Sequence, residues 1–134
     1  MSFPTRLVLF LAALTMIGIG ATIALAPHVL YSQPDGSMPG DIVLASDLRS
    51  SGSFLLVCGL IVLSAGFGLI ARRAALSLAA IAFLSYGLGR VLSFVMDGIP
   101  NATILTAAGV EWVLGLATLA TLWVTRPSAA GRAL

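Results

Sequence analysis

Arg90 is the residue on which the chemistry of this chain turns. It stands in the apolar run Ala74 to Met96, with no charged neighbour until Asp97, two helical turns on. Glu111 stands in the next apolar run, and Arg49 just inside the outer end of the preceding one. A charged side chain in the hydrocarbon interior costs roughly 2.5–3.5 kcal/mol on insertion scales, so each needs a partner or a polar cavity. Groups of this kind form ion pairs, pass protons, or hold a lipid headgroup, a quinone or another protein's charge.

Other chemistries lack their residues. His28 is the single histidine and Cys58 the single cysteine. This rules out an intramolecular disulfide and any zinc-ligand spacing. There is no nucleophile with a neighbouring base, no phosphate loop and no haem-ligating histidine pair. No catalytic, cofactor-binding or metal-ligating set is therefore expected, and the chain reads as a non-enzyme. Cys58, in an apolar run, reads as a small buried hydrophobe, and His28 as a surface residue of a loop.

The elements that position these charges follow from composition. The chain has 134 residues, 59% hydrophobic and 9% charged, with a mean hydropathy of +1.08. A soluble domain carries about 25% charged residues, so this chain is an integral membrane protein. Its seven basic residues are all arginine, and the net charge of +2 is small and scattered. That excludes a nucleic-acid partner and leaves helix orientation as the work of the arginines. The partner expected first is the lipid bilayer.

Four apolar runs read as four spans in one all-α membrane domain over residues 1–134. The spans are expected at roughly 5–27, 47–71, 74–96 and 102–125, and residues 127–134 as a flexible tail. The uncharged segment Leu7 to Ala26 is about 30 Å long as a helix, the thickness of the hydrocarbon core. It exceeds the apolar stretch of a signal peptide, and Pro27 directly follows the cleavage-like Ala24-Leu25-Ala26. Pro4 suits its first turn, with Ser2 as cap. Residues 27–45 hold the turn formers Pro27, Pro34-Asp35-Gly36 and Pro39-Gly40, room for a short interfacial helix near His28–Ser32, and Tyr31 at the headgroup level. Ser46 suits an N-cap for the second span, with Asp47 in its first turn. Gly52, Gly59 and Gly66 recur every seven residues and predict a close-packing seam, for a neighbouring helix, a membrane-protein partner or a second copy. Arg72-Arg73 marks a tight turn and an antiparallel hairpin of the second and third spans. Asn101 or Thr103 suits the N-cap of the fourth, and Trp123 and Arg126 mark its boundary.

With four spans, Arg6, Arg72, Arg73, Arg126 and Arg132 fall on one side, and Asp35, Asp41, Asp47 and Asp97 on the other. The positive-inside rule then places both termini in the cytoplasm. Arg90 lies about 10 Å below the outer surface and Glu111 about 12 Å below it. They sit on consecutive antiparallel helices at matching depth, so they are expected to pair. Tyr86, Arg90, Ser93 and Asp97 share one helix side, and Ala108, Glu111, Gly115 and Thr118 form a facing stripe of small and polar residues. The candidate cluster is Arg49, Tyr86, Arg90, Asp97 and Glu111. It reads either as a binding site or as a clasp that holds helix register.

Arg49 with Gly52 and Gly59, then Gly89-Arg90-Val91-Leu92-Ser93 with Asp97-Gly98-Ile99-Pro100, then Glu111, resemble the pattern of a bacterial domain-of-unknown-function family, number 4345. The resemblance covers nearly the whole chain, and the first helix and its loop match in character alone. It implies a four-helix membrane bundle, without an assigned activity to carry over. Two functions are expected from the chain: a non-enzymatic accessory or scaffold protein of the bacterial inner membrane, or a binder or carrier of a small lipophilic or charged ligand at the Arg/Glu cluster.

Overall fold

The computed structural model describes residues 2–31, 40 and 42–125, and their regular structure is helical throughout. Helix α1 spans Phe3–Leu25, α2 His28–Tyr31, α3 Ile42–Ser64, α4 Arg72–Met96 and α5 Ala102–Val124, with a 3-10 turn at Ala65–Phe67 between α3 and α4. Four of these, with α3 taken through Phe67, are long and apolar enough to cross a membrane. Large apolar side chains such as Leu14, Leu60, Ile81, Leu88, Val113 and Leu116 face outward. A water-soluble bundle of this size would cover such a surface with charge; in lipid it is the expected exterior.

The helices run antiparallel, and their most extensive contacts are α1 against α3 and α4 against α5. The expected hairpin of second and third spans holds as a chain connection, but α3 and α4 touch far less. Glycine is the reason. An added Cβ at Gly20 would strike the backbone nitrogen of Leu56. At Gly52 it would lie 2.5 Å from the Ala24 nitrogen, and at Gly59 2.8 Å from the Ile17 nitrogen. The α1 and α3 backbones are therefore in direct contact, which a side chain at any of the three would prevent. Gly66 does not belong to this seam: it is exposed, with nothing within 4 Å, because α3 has already given way to the 3-10 turn. The core consists of small and medium residues, among them Ala12, Ala13, Met16, Cys58, Val62, Ala75, Ala79 and Phe83. Cys58 is buried as expected.

Helix ends depart from expectation in three places. The second span begins at Ile42, and Ser46 lies inside it. Ile42-Val43-Leu44-Ala45 continues the apolar helix upstream of the serine, so the strong breakers Pro39-Gly40 stand nearer its start than the cap-like Ser46-Asp47. That span also stops short of 71: Gly68, at φ 77°, supports the left-handed turn that closes the 3-10 segment, and α4 starts at Arg72. Ser2 occupies the N-cap position of α1 without capping the backbone; its hydroxyl bonds that of Thr5 at 2.9 Å instead. Asn101 caps α5, its Oδ1 accepting from the Ile104 N–H at 3.0 Å, and Gly98, at φ 101°, makes the turn out of α4. The expected short helix is α2. Asp35, Asp41, Arg126, Arg132 and the tail 127–134 lie outside the described residues.

Candidate functional site

The α4–α5 interface sets the position of the buried charges. Leu84 meets Gly115 and Gly87 meets Trp112, and Arg90, one turn beyond Gly87, reaches Glu111, the residue beside Trp112. The Arg90 Nε donates to both carboxylate oxygens, each at 3.0 Å. Glu111 is buried, with Ala108, Gly115 and Thr118 on the same face of α5. These four are the stripe read from the sequence. The small members let α4 approach, and Thr118 satisfies its hydroxyl by donating to the Leu114 and Gly115 carbonyls of its own helix. This local bond lets a hydroxyl stay inside an apolar interface.

Tyr86, one turn before Arg90, donates its hydroxyl to the Ser51 carbonyl of α3 at 3.3 Å. Tyr31, from α2, lies beside the Arg90 guanidinium. Its side chain is half-buried there. Together with Ser51, Ser85, Gly89 and Ser93, these side chains line an open cavity of about 500 Å³ in the half of the bundle nearer the α4–α5 turn. The site has one charge pair, internally neutralised, and a polar wall of tyrosine and serine.

Two members of the expected cluster lie elsewhere. Arg49 is exposed and donates from Nη1 to the Ala24 carbonyl at 2.7 Å. Ala24 lies in the last turn of α1, where carbonyls have no partner within the helix, and a cation is favoured there by the helix dipole. Asp97 is exposed at the end of α4 and accepts from the Ser93 hydroxyl at 3.0 Å. Arg73 repeats the Arg49 arrangement at the other end of the bundle, donating to Thr125 and Leu122 carbonyls at 3.1 and 3.4 Å, where α5 terminates. Each of the two tight helix pairs thus has an arginine on one helix closing the C-terminus of the other.

Tyr31, Ser51, Ser85 and Gly89 had no place in the cluster read from the sequence. Ser85 and Gly89 carried a usable signal, being spaced by four on the side of α4 next to Arg90. Tyr31 carried none, because its place beside Arg90 depends on how α2 turns off the end of α1.

The comparisons with known proteins are confined to one family. No curated protein and no solved structure matches the chain. The domain of unknown function DUF4345 matches residues 4–123, nearly the whole of this chain of apolar helices with its Arg90–Glu111 pair, and the chain belongs to that family.

Proposed function

We propose that the protein is a non-enzymatic accessory or scaffold protein of the bacterial inner membrane, with both termini in the cytoplasm, that receives a helix of another membrane protein on the outer face of α4. One observation carries this reading. Ser85, Gly89 and Ser93 stand above one another at intervals of four, all exposed, and a side chain added at Gly89 would meet nothing within 4 Å. Rows of small residues at this spacing allow two membrane helices to approach closely. The α3 glycines Gly52 and Gly59 are already covered by α1, whereas the row on α4 stands open to a partner or to a second copy. In this reading the Arg90–Glu111 pair holds α4 and α5 in register beneath the docking face.

A second reading rests on the cavity beside that row. Tyr31, Ser51, Tyr86 and Arg90 offer hydrogen-bonding groups around a space of about 500 Å³, within the range of small-molecule sites. There the protein would bind or carry a small lipophilic or charged molecule.

Native mass spectrometry of protein gently extracted from its own membrane separates the two. A recurrent membrane-protein partner that is lost in Gly89→Leu, while Tyr31→Phe at the cavity wall retains it, supports the docking face. A stoichiometric small molecule that is lost in Tyr31→Phe supports the ligand site instead. A partner that survives Gly89→Leu overturns the docking face.

A further inference from the structure

The opposite end of the bundle holds a larger cleft that the Arg90–Glu111 site does not touch. It lies between the first half of α1 and the α3–α4 connection, has a volume of about 990 Å³, and is walled by apolar side chains including Leu9, Phe10, Val62, Leu63 and Ile70. The glycine seam accounts for its place. Where Gly20, Gly52 and Gly59 face the opposing helix, the α1 and α3 backbones touch. Beyond Gly59 no glycine faces α1, α3 yields to the 3-10 turn, and the space at Gly66 stands open.

Two arginines, Arg6 and Arg72, stand at the rim of this cleft, and both are exposed. Neither has an acidic partner among the described residues, where the one salt bridge is Arg90–Glu111. The described acids Asp47 and Asp97 belong to the other end of the bundle. Arg73, next in the chain, is engaged by the α5 carbonyls. Arg6 lies in the first turns of α1 and Arg72 opens α4, so both guanidinium groups stand where spans leave the hydrocarbon. An apolar slot below two uncompensated guanidiniums is complementary to an acyl chain below a phosphate. Arginine suits that headgroup because its planar fork matches phosphate oxygens, and basic pockets between membrane helices hold anionic headgroups.

We propose that this cleft is a site for an anionic glycerophospholipid, one acyl chain between α1 and the α3–α4 connection and the phosphate held by Arg6 and Arg72. A zwitterionic lipid offers the same chain and phosphate but adds a cation facing the two arginines, so the site discriminates by headgroup charge.

The test is native mass spectrometry of the full chain in detergent with equimolar phosphatidylglycerol and phosphatidylcholine of identical acyl chains. The expected result is one retained lipid with roughly ten-fold preference for phosphatidylglycerol, since each basic residue near a headgroup favours the anionic form. The double variant Arg6→Gln/Arg72→Gln should bring the two lipids to near parity. Gly66→Leu supplies an independent check: Gly66 lines the cleft and an added Cβ there has nothing within 4 Å, so the change leaves both arginines in place and should reduce lipid retention. Equal retention of the two lipids by the unaltered protein overturns the proposal. So do a preference that persists without both arginines, capture of inorganic phosphate in place of lipid, and undiminished phosphatidylglycerol in Gly66→Leu. The last decides even where the double variant does not fold.

Discussion

The Arg90 Nε stands 3.0 Å from both carboxylate oxygens of Glu111, with the two side chains 15% and 6% exposed. This geometry makes the two charges interdependent. Removing one strands the other in an apolar interface, at a cost of about 3–5 kcal/mol; replacing both with apolar residues of similar volume is often near neutral. Arg90→Leu and Glu111→Leu are therefore each expected to lower the thermal midpoint and folding yield in detergent sharply, and the double variant to recover most of that loss. If the single effects add in the double variant, the pair does not act as a unit.

The glycine seam makes a position-specific prediction. Gly20→Ala, Gly52→Ala and Gly59→Ala place a Cβ under 3 Å from the facing helix, against backbone at all three sites. The helices must move apart, which costs on the order of 1–3 kcal/mol for overpacking of this kind. Gly18→Ala, with nothing within 4 Å, should be neutral or stabilising by roughly 0.5–1 kcal/mol through helix propensity. Unfolding titrations in mixed micelles check both halves, and equal effects at Gly18 and Gly20 would contradict a close α1–α3 contact.

How far the sequence reveals the arrangement differs from residue to residue, and the difference is physical. The matching depth of Arg90 and Glu111 is legible because a short turn joins two apolar runs, so counting residues from the turn gives both heights. The stripe Ala108, Glu111, Gly115, Thr118 is legible because helical periodicity fixes a face. Arg49 is not legible in this way. Its partner is the Ala24 carbonyl, 25 residues away, and any unsatisfied helix end within reach would have served as well. The heptad of Gly52, Gly59 and Gly66 misleads at its third member because periodicity continues in sequence after the helix has stopped. The start of α3 misleads for a related reason: Ser46-Asp47 looks like a cap, but the apolar residues before it have no breaker among them.

The paired helix-closing arginines predict local rather than global effects. Arg49→Ala should fray the last turn of α1 and Arg73→Ala that of α5, each leaving the rest of its helix intact. A cation at a helix C-terminus contributes about 0.3–1 kcal/mol, so amide exchange near Ile23–Ala26 or Thr121–Thr125 should accelerate roughly two- to five-fold. Hydrogen-exchange mass spectrometry resolves these segments. Acceleration spread over both helix pairs would mean that the arginines hold the bundle together and do not merely close its ends.

The placing of the arginines makes a prediction about orientation. The start of α1, the start of α4 and the end of α5 share one end of the bundle, where Ser2, Thr5, Arg72, Arg73 and Thr125 line a common cavity. Arg6 lies at that end too, beside Arg72 in the larger cleft. Translocation of loops carrying Lys or Arg is disfavoured, and short segments obey this bias most strongly. A fluorescent protein that matures in the cytoplasm should therefore glow when fused to either terminus. A phosphatase that is active outside the cytoplasm should work when inserted in the α4–α5 turn, near Gly98, and fail at both termini. Arg72→Glu/Arg73→Glu should weaken this bias without changing the number of spans, giving a mixed population in which both reporters score. Phosphatase activity at the termini of the unaltered chain would invert the assignment. The cleft with Arg6 and Arg72 would then face the outer leaflet, and the row of Ser85, Gly89 and Ser93 would meet its partner in the cytoplasmic half of the membrane.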